Sequence, residues 1–293
     1  MRPAEVAAKR AESFPKVLPT APKADTPVAP PLILTARIGA EFWAQWDELR
    51  RTAAVIGTAL VFALRPSCWD RAAVREFARQ ILAVGIAPMA FVCALGLFVG
   101  ISVIVQLSFW AGEAGQSQLV GPLILTVVAR ELAPVLINLV VIVRSGSAMT
   151  TELGVLKVDG EMAALEARGG DPFRHLVMPR VLAVALSTFC LTTVFILVTF
   201  ASGFVFAAWT GKGSADLTLF ANNVCNAIQP RDVLNIVVKS VLPALFAGAS
   251  WCLGGLGAGK DVEEIPAATE RALTRSVGGL FVISVVVSLL TYY

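Results

Sequence analysis

Four stretches of this chain carry no charged residue at all: Ile81–Trp110, Val181–Gly211, Ser240–Gly259 and Ser276–Tyr293. A fifth, Leu119–Val143, is interrupted only by Arg130, Glu131 and the polar Asn138. Each is near or above the roughly 18 apolar residues that mark a membrane-crossing helix. Hydrocarbon offers no partner to backbone N–H and C=O groups, so only helices and closed barrels cross it. Barrel strands alternate apolar and polar positions over about 10 residues, and these runs do not alternate. The expectation is an all-α integral membrane protein with about five transmembrane helices. Charged residues make up 15% of the chain, against about a quarter in soluble domains, which excludes an ordinary soluble fold.

The apolar runs place the spans at about 81–110, 118–146, 178–209, 234–258 and 270–291. With the N-terminus inside, twelve Lys/Arg before Gln80, five in Arg144–Arg180 and three in Lys260–Arg275 fall on the inner side. Only Lys212, Arg231 and Lys239 fall on the outer side. This bias sets a cytoplasmic N-terminus and a C-terminus on the far side of the membrane.

Ahead of the spans, residues 1–35 form an expected disordered cytoplasmic tail; seven prolines lie within Met1–Pro31 and no apolar core accompanies them. Residues 36–80 read as interfacial amphipathic helices. Trp43, Trp46 and Arg50-Arg51 precede Ala53–Leu64, an apolar run too short to cross. The membrane-embedded body occupies 81–293, with Pro88 expected to kink the first span without ending it. Ala215–Gln229 reads as an external loop or surface helix.

Several chemistries are disfavoured. The scattered Cys68, Cys93, Cys190, Cys225 and Cys252 have no metal-binding spacing, and His175 is the one histidine. No metal or cofactor is expected. Gly254–Lys260 fits a phosphate-loop pattern, but Asp261 replaces the hydroxyl residue that must hold Mg²⁺. The basic residues follow topology rather than a nucleic-acid face.

Two features point to function. Arg130 and Glu131 lie about a dozen residues into the second span, where charge costs roughly 2.5–3.5 kcal/mol or more. As adjacent helical residues they point about 100° apart and need not pair with each other. They read either as structural bridges to other helices or as a polar patch in a cavity. Pro134, one turn on, frees a carbonyl nearby. The small residues Ser145-Gly146-Ser147-Ala148 read as a helix-packing site. The second feature is the charged segment between spans two and three. It is expected to hold a helix with Leu153, Leu156, Met162 and Leu165 roughly on one face, a Gly169-Gly170 stop and an Asp171-Pro172 start to the next helix.

Taken in order, RELAPVL (Arg130–Leu136), TELG (Thr151–Gly154), ALE (Ala164–Glu166), GGDP (Gly169–Pro172) and MPRVLA (Met178–Ala183) resemble the core of the MlaE/YrbE family. Gly96-Leu97-Phe98-Val99-Gly100 with Gln106, Gln229–Asp232 and Ala267-Ala268-Thr269 add to the likeness, which spans about Ala72 to Tyr293. Its members are permease subunits of lipid-transporting ABC systems associated with MCE proteins. The resemblance implies a homodimer in the bacterial inner membrane, with no covalent chemistry of its own. It implies a cytoplasmic ABC ATPase, an MCE-domain protein and lipid as partners, and it allows a small regulatory subunit. It makes Glu152–Gly169 the helix that couples to the ATPase, with Glu152, Leu153, Gly154, Glu161, Leu165, Glu166, Gly169, Asp171 and Pro172 as coupling residues. It places Arg130, Glu131, Pro134, Leu97, Gly100 and Gln106 at a lipid cavity. Gly170, Arg168 and the segment GKDVEEIPAATERA depart from the family pattern. The alternative is a secondary transporter or channel that uses Arg130 and Glu131 as an ion relay.

Overall fold

The structure, a computed structural model, describes residues 30–65, 68–113, 125–209, 229–259 and 261–292. The expected N-terminal tail before Pro30 and the expected loop between Thr210 and Ile228 lie outside them. The described residues form helices and no strands. They divide into two units, Met1–Asp47 and Glu48–Tyr293. Helix α1 (Pro30–Ala63) covers residues 36–63. From Glu48 onward it belongs to the second unit. There Ala59 is buried and Phe62 stacks edge-on against Phe173, with ring centroids 5.8 Å apart.

Five helical stretches are long and apolar enough to cross a membrane: Arg71–Val103, Val128–Val158, Phe173–Phe206, Pro230–Gly257 and Val262–Thr291. The chain is thus an all-α integral membrane protein. The first stretch comprises α2 (Arg71–Gln80), a π-helical segment (Ile81–Ile86) and α3 (Met89–Glu113). The second is a π-helical segment (Leu125–Leu132) followed by α4 (Ala133–Val158). After the short α5 (Glu161–Ala167) comes a third π-helical segment (Phe173–Val177) and then α6 (Met178–Trp209). Helices α7 (Pro230–Gly257) and α8 (Ile265–Tyr292) complete the bundle.

Each π-helical segment ends two residues before a proline: Pro88, Pro134 and Pro179. A proline inside a helix has no N–H, and its ring crowds the carbonyl four residues back. Widening the preceding turn to i→i+5 pairing moves that carbonyl aside, as in the bond from Ala87 N to Leu82 O at 3.0 Å. Pro88 accordingly re-pairs the first span without ending it.

Helix α7 lies at the centre, against α4, α6 and α8, while α3 packs on α6. Lipid tails are as apolar as Leu, so tight packing rather than water exclusion holds such helices together. Small residues permit it. A Cβ added at Gly146 would lie 2.6 Å from Leu273 Cδ2 and 2.8 Å from Trp251 Cε2, so α4, α7 and α8 meet there. One at Gly100 would lie 2.2 Å from Ser202 Oγ, which sets the α3–α6 crossing. Trp251, Phe195, Ile137, Leu153 and Met178 fill the core between them.

Candidate functional site

Two ion networks join the helices, one at each end of the bundle. At the end where α4 begins, Arg130 Nη2 donates to Asp232 Oδ2 at 2.8 Å, and Lys239 Nζ to Glu131 Oε1 at 2.6 Å. Both partners belong to α7. Asp232 is held by its own helix start, where Gln229 N donates to its Oδ2 at 2.9 Å in a reciprocal capping box. Asp232 and Lys239 are two turns apart on one face of α7, so they meet two adjacent residues of the neighbouring helix.

The prolines of α4 and α7 complete this network. Pro134 provides no N–H to the Arg130 carbonyl of the preceding turn, and that oxygen accepts from Lys239 Nζ at 3.4 Å. Pro243, inside α7, likewise leaves the Lys239 carbonyl free, and Asn138 Nδ2 donates to it at 3.3 Å. Each helix therefore satisfies the carbonyl released by the other's proline. Lys239 is fully buried, whereas the Glu131 side chain is 48% exposed and also accepts from Ser288 Oγ at 3.3 Å.

The other residues expected at a lipid cavity have different surroundings. Leu97 and Gln106 are exposed on α3, Gly100 is covered by α6, and Pro134 is buried in the bundle.

The opposite end carries α5. Glu152, Leu153 and Gly154 continue α4 rather than beginning a separate helix, and the expected Glu152–Gly169 helix is broken at Asp159–Gly160. Gly160 has φ 76°, the left-handed region that a side chain resists, so it ends α4 and turns the chain into α5. Leu153 is fully buried and Gly154 packs on Ile265 of α8. Lys157 Nζ donates to the carbonyls of Leu256 (2.7 Å) and Ala258 (2.5 Å), tying the last turn of α4 to the last turn of α7 and its C-cap.

Helix α5 itself has no buried residue; Glu161 and Glu166 are exposed, and Leu165 rests against Gly170. Gly169, with φ 80°, closes it. Asp171 Oδ1 accepts from Phe173 N at 3.0 Å and Pro172 sets the next turn, as the Asp-Pro start requires.

Beneath α5, Glu152 turns inward. Arg180, at the start of α6 and fully buried, donates to Glu152 Oε1 at 3.0 Å and to Glu76 Oε1 of α2 at 2.7 Å. Arg79 bonds the same two carboxylates, reaching Glu76 at 3.0 Å. Two arginines and two glutamates thus form a neutral cluster across α2, α4 and α6. A buried guanidinium would otherwise cost several kcal/mol.

Sequence reasoning missed Glu76, Arg79, Arg180, Asp232 and Lys239. The available signal was spacing. Glu76 and Arg79 share a helix face, as do Asp232 and Lys239, and each couple confronts charges on another apolar run.

The chain has relatives. The permease MlaE family model matches residues 77–290. A probable ABC transporter permease protein of Synechocystis sp. is 31% identical over 71% of this chain and 78% of its own length. The chloroplastic protein trigalactosyldiacylglycerol 1 of Arabidopsis thaliana is 30% identical over 67% of this chain, which spans 56% of that relative. The intermembrane phospholipid transport system permease protein MlaE of Haemophilus influenzae is 29% identical over 68% of this chain and 74% of its own. The matched region begins within α2, just after Glu76, and takes in the other members of both ion networks and part or all of each of the five spans, and on that ground the chain belongs to the MlaE permease family.

Proposed function

We propose that this chain is the membrane subunit of an ABC transporter that moves phospholipid, or a related lipid, between the inner membrane and an MCE-domain protein. A separate cytoplasmic ATPase drives it. The observation that carries the reading is α5, a short helix with no buried residue, set between two spans by two left-handed glycines. Met162 packs against the core, and the rest of the helix surface is open to seat on another protein. Membership in a permease family, and the phospholipid named for one relative, support lipid as the cargo.

In this reading the N-terminus and α5 are cytoplasmic, as the basic residues require. Two identical copies enclose a cavity lined from α3, where Leu97, Phe98 and Gln106 are exposed on a single chain. Arg130, Glu131 and Pro134 set the shape of its wall through α7, and Gly100 sets the angle between α3 and α6. ATPase closure presses on α5 and rearranges the spans. Energy input suits the task, because each CH₂ of an extracted acyl chain exposed to water costs about 0.8 kcal/mol. The pairing of Arg130 and Glu131 with α7 favours the permease over an ion relay, which needs a charge that can exchange its ion.

Purification of the full chain in mild detergent, with mass spectrometry of proteins and lipids together, tests this. Recovery of an ABC ATPase, an MCE-domain protein and bound phospholipid is the expected result. A chain that retains neither ATPase nor lipid under those conditions would overturn it.

A further inference from the structure

The excursion from Glu152 to Arg180 leaves the bundle, forms α5 and returns. It is closed at its base by one ion pair. Glu152 lies on α4, about two turns before that helix ends at Val158. Arg180 lies three residues beyond the π-helical segment Phe173–Val177. Both exits of α5 therefore lead to the two partners of a single bond, Arg180 Nη2 to Glu152 Oε1, at 3.0 Å. Arg180 also holds Glu76 at 2.7 Å. Four residues after Glu76 ends α2, and the π-helical segment Ile81–Ile86 carries the chain into α3. The cluster thus sits between two π-helical segments, the type of helix irregularity that accommodates register shifts and collects at functional sites.

One donor of the cluster is uncommitted. Arg180 Nη1 is buried and has no hydrogen-bond partner among the described residues. A planar guanidinium with a whole –NH₂ group to spare can pass a carboxylate from Nη2 to Nη1 without leaving the ion pair. Arg79 holds both carboxylates from the other side during such a move. The bond can shift in discrete steps, which is what transmission of motion through a packed bundle needs.

We infer that Glu152, Arg180 and Glu76 are positioning residues that transmit displacement of α5 to the first span, and that Glu152 is not itself a contact to the ATPase. This rests on the proposed ATPase-driven permease. Displacement of α5 moves the end of α4 and the start of α6 in opposite senses about the Glu152–Arg180 bond. Arg180 then carries Glu76 and α2 with it, and the segment Ile81–Ile86 takes up the change.

The test uses the complex purified with the full chain and reconstituted in phospholipid vesicles, with a nitrobenzoxadiazole-labelled phospholipid as the transported probe. Glu152→Gln keeps the shape and a hydrogen bond but removes the charge. The variant is expected to retain the ATPase in wild-type proportion and to hydrolyse ATP. Lipid moved per ATP falls about 10-fold, within the ordinary range of site-to-site coupling. Loss of the ATPase from the variant would make Glu152 a docking contact and overturn the inference, as would an unchanged ratio of lipid to ATP. Hydrogen exchange on the wild-type complex guards against a variant that does not fold. Nucleotide is expected to alter exchange in both Phe173–Val177 and Ile81–Ile86; a response confined to α5 would refute transmission. A wild-type chain that brings down no ATPase instead removes the permease reading itself, and this inference with it.

Discussion

Lys239 shows how one buried cation is made tolerable. Its ammonium has a carboxylate at 2.6 Å and a proline-released carbonyl at 3.4 Å, and its side chain is fully buried. Glu131, its partner, is about half exposed and keeps Ser288 as a second donor. Removal of either partner is therefore unequal. Lys239→Met keeps the volume and removes the buried charge, leaving a half-exposed carboxylate and one orphaned carbonyl, and is expected to destabilise by about 1–2 kcal/mol. Glu131→Gln leaves the fully buried ammonium with no counter-charge, and is expected to cost about 3 kcal/mol or more. Denaturation of the two variants in one detergent checks the order; equal losses would show that the pair does not account for the burial of Lys239. In the sequence Lys239 looks like the outer boundary of a span, because the uncharged run begins at Ser240. The capping box at Gln229 starts α7 nearly three turns earlier and carries the lysine inside.

Among the elements, Pro88, Pro134 and Pro179 follow π-helical segments, whereas Pro243 sits in an uninterrupted α7, where Asn138 donates to the carbonyl it frees. Asn138→Leu removes that donor, and the expected result is a loss of about 1–3 kcal/mol from an unsatisfied buried carbonyl. Helix contacts offer a second test. Gly100→Ala would drive a methyl to 2.4 Å from the Thr199 carbonyl, where backbone cannot yield cheaply, and overpacking of this kind costs about 1–3 kcal/mol. Gly278, on α8, has nothing within 4 Å of an added Cβ; Gly278→Ala is expected to be neutral or to stabilise by about 0.5–1 kcal/mol. Thermal unfolding of the pair in detergent measures the contrast, and a similar midpoint for both would refute the close α3–α6 contact. The existence of these helices was plain from the uncharged runs. Their widened turns were not, since Pro134 and Pro243 both release a carbonyl that a side chain on another helix takes up, and only the first follows a π-helical segment.

For the whole molecule, the two bundle ends are built differently. The Arg130–Glu131 end is stitched shut by α7, while the opposite end projects α5 with Glu161 and Glu166 exposed. Reversal of those two charges, as Glu161→Lys with Glu166→Lys, is expected to lower recovery of the ATPase about 10-fold, the effect of unfavourable charge at an interface. Stability of the chain should stay within about 0.5 kcal/mol of wild type, as for other surface changes. Quantitative co-purification and a melting curve read the two effects separately. Full ATPase recovery would mean that α5 is not the docking element.

Hydropathy alone determined that the chain is a helical membrane protein with five spans, because hydrocarbon admits no other backbone arrangement for long uncharged runs. Short motifs in a fixed order pointed to the family, and the Gly-Gly-Asp-Pro turn marked where the intervening segment returns to the bundle. Tertiary structure decided what the charges do. Glu152, grouped by sequence with the residues of α5, turns inward to Arg180, and Arg130 and Glu131 find Asp232 and Lys239 about a hundred positions along the chain. The physical reason is the same in each case. Helical periodicity tells which residues share a face, but the partner that makes a buried charge affordable lies on another helix, and only the packing of the helices brings the two together.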